Sequence, residues 1–318
     1  MAAARRGAGH GDRRPALTSP SKGETMRKLL LLSVCLLSAP AFAQDCPPEG
    51  QSKTSLQALK ALQFTLPDAA EKQKLADGLL ACLGSPDPEV RDGIAYEALT
   101  QWMRAGDFDA DALRGLRDKL YAMLDADDKQ GFAHPFAALV LSEVARADRI
   151  KPWMAAEERT AMVDRAAAYV ESVRDYRGYI GGEGWRHGVA HGADWLMQLS
   201  LNPALERAQY DRILTAVAAQ VVPETEHAYV FGEPGRLAQP VLYAAKRQLL
   251  SDADWQAWFV GVASRLGKLD RNSYGLWLAR RHDLMAFLMS LYLEADQSED
   301  PQIKALKPAV VAALKKVQ

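Results

Sequence analysis

Apolar residues recur every three or four positions over most of this chain, which is the period of an α-helix. Gly84 and Gly106 end two of the periodic segments, and Ser85-Pro86 restarts the chain with residues suited to a first helical turn. Alternating runs rich in β-branched residues, which would predict strands, do not occur between the segments. The pattern predicts about eleven helices, at 67–83, 88–106, 109–124, 135–147, 155–173, 185–201, 205–221, 236–250, 252–266, 280–295 and 301–317.

The predicted fold is therefore all-α, with the helices paired in antiparallel hairpins. Each hairpin alone cannot cover its apolar face, so we expect the hairpins to stack. Because the helix pairs are evenly spaced without a repeated motif, the pattern favours an irregular HEAT-like α-solenoid, with an α/α toroid as the alternative. Residues 44–318 contain no linker or charge block that would divide them, so we expect a single domain there.

The preceding segment is typical of an export signal. Met26-Arg27-Lys28 leads into a short apolar run that ends at Ala41-Phe42-Ala43, an A-x-A cleavage pattern. The run is too short for a membrane anchor. We therefore expect cleavage before Gln44, residues 1–25 as an upstream extension, and a periplasmic or secreted product that is not inserted in a membrane.

Charge and cysteine content narrow the range of partners and the compartment. Without residues 1–43 the chain has 275 residues with 32 basic and 38 acidic groups, a formal charge of −6. Nucleic acids and anionic membranes need a basic surface, so we expect a protein or small-molecule partner instead. Cys46 and Cys82 remain after cleavage, and they are interpreted either as a disulfide or, for Cys82, as a buried thiol.

The candidate chemistry lies in one stretch, GYIGGEGWRHGVAHGADWL, at 178–196. On a helix starting near Gly184 or Trp185, the side chains of His187, His191 and Asp194 would share one stripe at i, i+4 and i+7. Glycines 184, 188 and 192 would form a second stripe. Because a glycine inside a helix costs about 1 kcal/mol relative to alanine, we expect close packing or ligand access along that stripe.

Three interpretations of the histidines stay open. His187, His191 and Asp194 could bind a divalent metal such as zinc, with Asp194 as third ligand or as the acceptor that orients His191. They could line a metal-free pocket, or they could be buried and hydrogen-bonded for packing alone. HGVAH lacks the glutamate of H-E-x-x-H, so a hydrolase would take its base from elsewhere. The candidates for that base are Glu183, Glu226, His227 and Glu233.

Further candidates surround this stretch. The loop 227–240 includes Glu233 and Arg236 and could cover a pocket. Arg91-Asp92 and Glu97 are predicted to form surface ion pairs, with a place in a groove as the alternative. The predicted binding residues are Tyr179, Trp185, His187, His191, Asp194, Glu233 and Arg236. Two functions follow: binding or scaffolding through a groove along this helix, or metal-dependent hydrolysis.

The motif GW-x-H-x3-HGAD, with LLACLGSPDPEVRDGIAYEALTQWMRAG and FAALVLSEVARADR, resembles a bacterial family of unknown function, DUF2785, from about Leu75 to the last helices. The resemblance implies an all-helical domain and no established activity. It marks Gly184, Trp185, His187, His191, Gly192, Ala193 and Asp194 as the family's distinctive positions. Some members have Arg-Ser-Phe where this chain has His134-Pro135-Phe136, so an arginine of a shared site would be missing or replaced by His134.

Overall fold

The computed structural model describes residues 46–317, and the all-α class is confirmed for them. Two strands of two residues each, β1 (Tyr179–Ile180) and β2 (Gly184–Trp185), pair antiparallel as a small hairpin. The α-helices are α1 (Lys53–Ala61), α2 (Ala69–Cys82), α3 (Pro88–Val90), α4 (Glu97–Ala105), α5 (Ala110–Asp125), α6 (Ala133–Ile150), α7 (Ala156–Ser172), α8 (Gly188–Ser200), α9 (Arg207–Val221), α10 (Glu233–Lys246), α11 (Asp252–Ser264), α12 (Tyr274–Gln297), α13 (Pro301–Lys304) and α14 (Lys307–Val317). A π-helical segment, Arg91–Tyr96, joins α3 to α4, and a 3₁₀ turn, Arg271–Ser273, precedes α12.

Local capping explains where many of these helices begin and end. The side chains of Asp68, Asp109 and Ser251 accept hydrogen bonds from backbone N–H groups in the first turns of α2, α5 and α11. Gly106 ends α4 with a φ of 78°, which glycine adopts without a steric penalty. These positions agree with the sequence pattern to within two residues.

Helices that are two apart in chain order contact one another. α4, α6, α8, α10 and α12 form one series of neighbours, α7 packs on α9, and consecutive helices such as α5 and α6 or α7 and α8 also touch. Contacts of this kind are those of stacked helix pairs. The choice between an open solenoid and a closed toroid stays a prediction.

α8 lies at the centre of this series, between α6 and α10 and against α7. A Cβ atom at Gly192 would lie 2.7 Å from Val170 Cγ2, and one at Gly188 would lie 3.3 Å from the Tyr169 hydroxyl. The predicted close packing of these two glycines on a neighbouring helix is therefore confirmed. Gly184 belongs to β2 instead, with a φ of 78°, so the three-glycine stripe on one helix was wrong.

Several predicted helix boundaries were wrong for identifiable reasons. α8 begins at Gly188 rather than near residue 185, because the glycine-rich segment folds as the β1–β2 hairpin. α10 begins at Glu233 rather than Arg236 and contains Pro240 in its interior, where proline normally disfavours a helix. α12 begins at Tyr274 instead of residue 280, and α1, which opens on a capping box between Ser52 and Ser55, was not predicted.

A disulfide links Cys46 to Cys82, with their Cα atoms 5.1 Å apart. It fastens the chain ahead of α1 to the last residue of α2. Of the two interpretations of these cysteines, the disulfide is confirmed.

The described residues fall within one compact unit. Among them, none of the helices is both long and apolar enough to cross a membrane. The predicted signal segment at 26–43 lies outside the described residues, and its cleavage stays a prediction.

Candidate functional site

The seven predicted binding residues lie together where the β1–β2 hairpin meets α8 and α10. We call them the histidine cluster: Tyr179, Trp185, His187, His191, Asp194, Glu233 and Arg236. Ring centroids are 5.2 Å apart for Tyr179 and Trp185, 4.6 Å for Trp185 and His187, and 5.7 Å for His187 and His191. Glu233 and Arg236 reach the same place from the first turn of α10.

His187 is not on the helix, as was predicted, but is the residue that precedes it. Its φ of 58° places it in the left-handed region, and its backbone N–H donates to the Arg177 carbonyl at 3.0 Å. A residue other than glycine in this conformation costs on the order of 1–3 kcal/mol, and such residues are frequent at functional sites. The hairpin thus turns the His187 ring onto Trp185 instead of along the face of α8.

Two buried arginines hold the hairpin against the start of α6. Arg91 donates from Nη2 to the Glu183 carbonyl at 2.9 Å. The guanidinium groups of Arg91 and Arg186 both lie over the Phe132 ring, 4.1 and 4.0 Å from its centroid. Arg91 does pair with Asp92, but it is fully buried, so its predicted place on the surface was wrong. Its role depends on contacts with residues distant in sequence, which the local pattern does not reveal.

His187 has one ring nitrogen without a partner. Its side chain is 9% exposed, and Nε2 makes no hydrogen bond to any described residue. The closest carboxylate oxygen, Glu233 Oε1, is 3.6 Å away, beyond hydrogen-bonding distance. Burial and the charge of Arg236, opposed by a hydrogen bond to the backbone of Phe231, lower the pKa of His187 to about 4. The ring is therefore neutral at pH 7.

His191 lies deeper and is hydrogen-bonded. Its Nδ1 is 3.2 Å from the Pro135 carbonyl, and because a carbonyl oxygen only accepts, Nδ1 carries the proton. Phe136 packs edge-on against the ring at 5.2 Å. Burial, followed by the neighbouring His187 and Arg236, lowers its pKa to about 3. The Pro135 carbonyl, in the first turn of α6, rather than Asp194, orients this imidazole.

Asp194 pairs with Arg236 instead of with the histidines. Arg236 donates from Nε to Asp194 Oδ1 at 2.6 Å and from Nη2 to the other carboxylate oxygen. Burial raises the pKa of Asp194 although the arginine acts in the opposite direction. Among the described residues, no three His, Cys, Asp or Glu side chains are grouped so that they could hold a metal ion. The predicted ligand set of His187, His191 and Asp194 does not converge, and metal binding stays a prediction.

A second pair of the same kind lies beside the first. Arg104 donates from Nε and Nη2 to the two carboxylate oxygens of Glu143, at 2.9 and 2.5 Å. In both pairs the carboxylate is buried while the arginine is about half exposed. Glu143 is close enough to Asp194 to contribute to its raised pKa. The sequence pattern does not predict this pair, because its members lie on α4 and α6, 39 residues apart.

Of the four candidate bases, Glu233 alone lies against His187 in the described structure. Its Oε2 accepts a hydrogen bond from the Phe231 N–H at 2.9 Å, and Phe231 in turn packs on Trp185. Glu183 pairs with Arg186. The other two lie elsewhere: His227 stacks on Tyr176, and Glu226 approaches Gly275.

The remaining sequence candidates lie outside the cluster. His134 hydrogen-bonds to the Ala126 carbonyl at 2.8 Å, on the loop ahead of α6, and does not replace an arginine in the cluster. Glu97 pairs with Lys60 at the surface, as predicted.

The profile of the family described as "Protein of unknown function (DUF2785)" matches residues 120–293. The chain belongs to this family. The DUF2785 match covers every residue of the histidine cluster but begins later than Leu75, so Arg91 and Arg104 lie ahead of it. No curated protein and no solved structure matches the chain.

Proposed function

We propose that the protein is a binding protein and that its ligand occupies the outer side of the histidine cluster. One observation carries this proposal: the buried Nε2 of His187 lacks a hydrogen-bonding partner among the described residues while exposed parts of the cluster lie next to it. A buried polar atom without a partner costs about 1–3 kcal/mol, and a ligand that bonds to it would recover that cost. Tyr179 is 51% exposed and the Arg236 side chain 44% exposed, so the cluster reaches the surface.

The groups present favour a small molecule with a ring and a polar substituent. Tyr179 and Trp185 offer aromatic surface, which is common in ligand sites that also contain a few polar groups. The His187 imidazole is neutral, and its stacking on Trp185 fixes the orientation of the ring. Arg236 adds a positively charged guanidinium group, and its hydrogen bond to Asp194 fixes the orientation of that group. The stacked helices would act as the rigid scaffold on which these groups are held.

Histidine NMR tests the proposal directly. We would label the protein with ¹⁵N-histidine and titrate it with fractions of a small-molecule extract from the source cells. At least one fraction should shift the His187 signals in a saturable way. The variant His187→Asn removes the imidazole yet tolerates a positive φ, and it should lose that binding. His282→Asn, on exposed α12 surface, is the matched control and should retain it.

Fractions that bind equally to His187→Asn and to the native protein would contradict the proposal. So would an extract in which no fraction shifts the His187 signals.

A metal-dependent hydrolase remains the second proposal, since His187, His191 and Asp194 have suitable chemistry. It would require Asp194 to separate from Arg236. We also propose that the protein is exported to the periplasm or secreted. The Cys46–Cys82 disulfide supports this location, because disulfides persist in oxidising compartments.

A further inference from the structure

A concave region lies between α4, α5 and the end of α6. It has a volume of about 520 Å³, which is within the range of small-molecule pockets. We call it the α4–α6 groove. Its lining differs from that of the histidine cluster, since none of the cluster's seven residues contributes to it.

The floor of the α4–α6 groove is apolar. Met103, Phe108 and Leu113 form its base as part of the hydrophobic core. Ile150, at the end of α6, stands at its edge with 60% of its surface exposed. An isoleucine this exposed next to a concave apolar surface offers area that a bound alkyl chain would remove from water.

One wall of the groove is fixed in place. Arg114 and Arg117 lie over the Trp153 ring, at 5.4 and 5.8 Å from its centroid, and Arg114 also donates to the Trp153 carbonyl at 3.1 Å. The indole N–H of Trp153 is buried and has no acceptor among the described residues. The wall is thus formed before a ligand arrives, and it contains a donor that is still unused.

The rim of the groove is cationic. Arg104, Arg146 and Lys151 contribute to the lining, and Arg104 is already engaged by Glu143. Arg146 and Lys151 form no side-chain hydrogen bond or ion pair with any described residue. Asp109 is the single carboxylate in the lining within the described chain, and it caps α5 by accepting from the Ala112 N–H at 2.9 Å.

We propose that the α4–α6 groove binds a single-chain anionic amphiphile, a free fatty acid in its chemistry. The alkyl chain would lie along Met103, Phe108 and Leu113, and the carboxylate would meet Arg146 and Lys151. An apolar floor beside unpaired cations is complementary to this class of ligand, whereas a neutral ligand would leave both cations unused. A bilayer or a folded protein would not fit into a hollow of about 520 Å³.

The test is calorimetric titration of the full protein with dodecanoate, kept below the concentration at which it aggregates. We expect saturable binding of one molecule per chain. Decanoate should bind about fifteenfold more weakly, because each buried methylene contributes roughly a factor of four in affinity. Dodecyltrimethylammonium, with the same chain and the opposite charge, should not bind.

Two variants localise the site. Arg146→Ala/Lys151→Ala should weaken dodecanoate binding about tenfold. Lys315→Ala/Lys316→Ala removes the same charge from exposed positions on α14 and should leave binding unchanged. Ala105→Trp, at an exposed position in the lining, should block the groove while circular dichroism stays that of the native protein.

Several results would overturn the proposal. One is the absence of saturable dodecanoate binding, and another is equal binding of dodecyltrimethylammonium. A third is an equal loss of dodecanoate affinity in Arg146→Ala/Lys151→Ala and in Lys315→Ala/Lys316→Ala. Dodecanoate binding that survives Ala105→Trp would also refute it. Self-association that Ala105→Trp abolishes, without any dodecanoate binding, would assign the groove to a second copy of the chain. Binding to phosphatidylglycerol vesicles without binding of free dodecanoate would assign it to a membrane.

Discussion

Replacing Gly192 with alanine tests the close approach of α8 to α7, on which the position of the histidine cluster depends. The new Cβ would lie 2.7 Å from Val170 Cγ2 and 3.0 and 3.1 Å from two Tyr169 ring carbons. Val170 is fully buried and β-branched, and the Tyr169 hydroxyl donates to the Gly188 carbonyl at 3.3 Å. Neither neighbour can move away cheaply, so the helices would have to separate.

The expected change in the free energy of unfolding follows from two opposing contributions. Alanine is about 1 kcal/mol more favourable than glycine inside a helix. Forcing a methyl group into a filled core costs about 1–3 kcal/mol, and the 2.7 Å contact places Gly192 at the upper end. The net loss in the free energy of unfolding is about 2 kcal/mol, or a fall in Tm of roughly 4–8 °C.

Urea and thermal denaturation followed by circular dichroism measure this loss. Gly115→Ala is the matched control, because Gly115 lies in the middle of α5 and an alanine Cβ there would have no neighbouring atom within 4 Å. That variant should be stabilised by about 0.5–1 kcal/mol. Gly188→Ala, whose nearest atom would be at 3.3 Å, should fall between the two. If Gly192→Ala were as stable as Gly115→Ala, the packing argument would be refuted.

Three further predictions concern the disulfide, one buried acid and the histidines. Replacing Cys46 and Cys82 by serine opens a loop of 36 residues and should lower the free energy of unfolding by about 3–4 kcal/mol, as measured by urea denaturation. An unchanged free energy of unfolding would contradict the stabilising role of the disulfide. Burial raises the pKa of Asp283 to about 6, above its usual value near 4, so stability should fall by up to about 3 kcal/mol as pH rises from 4 to 6. Asp283→Asn should remove that part of the pH dependence, and an unchanged profile would exclude Asp283 as its source. Elemental analysis should find equal metal content in native protein and in His187→Ala/His191→Ala, whereas one ion per native chain that the variant lacks would favour the hydrolase.

The helices and part of the candidate site could be predicted because their signals are local. Asp68 and Asp109 precede their helices at the position where a carboxylate caps the free N–H groups. Gly188 and Gly192 are one turn apart, and their cost inside a helix predicted either close packing or ligand access along that side. His191 on α8 and Arg236 on α10 were selected from their own segments, and the structure places them in one cluster.

What could not be predicted depends on contacts between segments distant in sequence. The fully buried Arg91 bonds to the Glu183 carbonyl, 92 residues away, and nothing in VRDGIAYEAL distinguishes it from a surface arginine. The local spacing allows Asp194 to face the histidines, but Arg236, 42 residues further on, donates to both of its carboxylate oxygens. The left-handed turn at His187 overrides a helical pattern because Gly182 and Gly184 allow the chain to fold back first.

Helix α6 lines the α4–α6 groove and also contacts the histidine cluster, so a ligand in one site could affect the other. Glu143 lies one turn before Arg146 on this helix, and it holds Arg104, which lines the α4–α6 groove. Its carboxylate also acts on Asp194 in the histidine cluster. As long as Arg104 stays on Glu143, dodecanoate bound at Arg146 and Lys151 leaves the charges of the cluster unchanged. The ¹⁵N signals of His187 should then be insensitive to dodecanoate, and a shift on its addition would mean that Arg104 leaves Glu143 when the groove is filled.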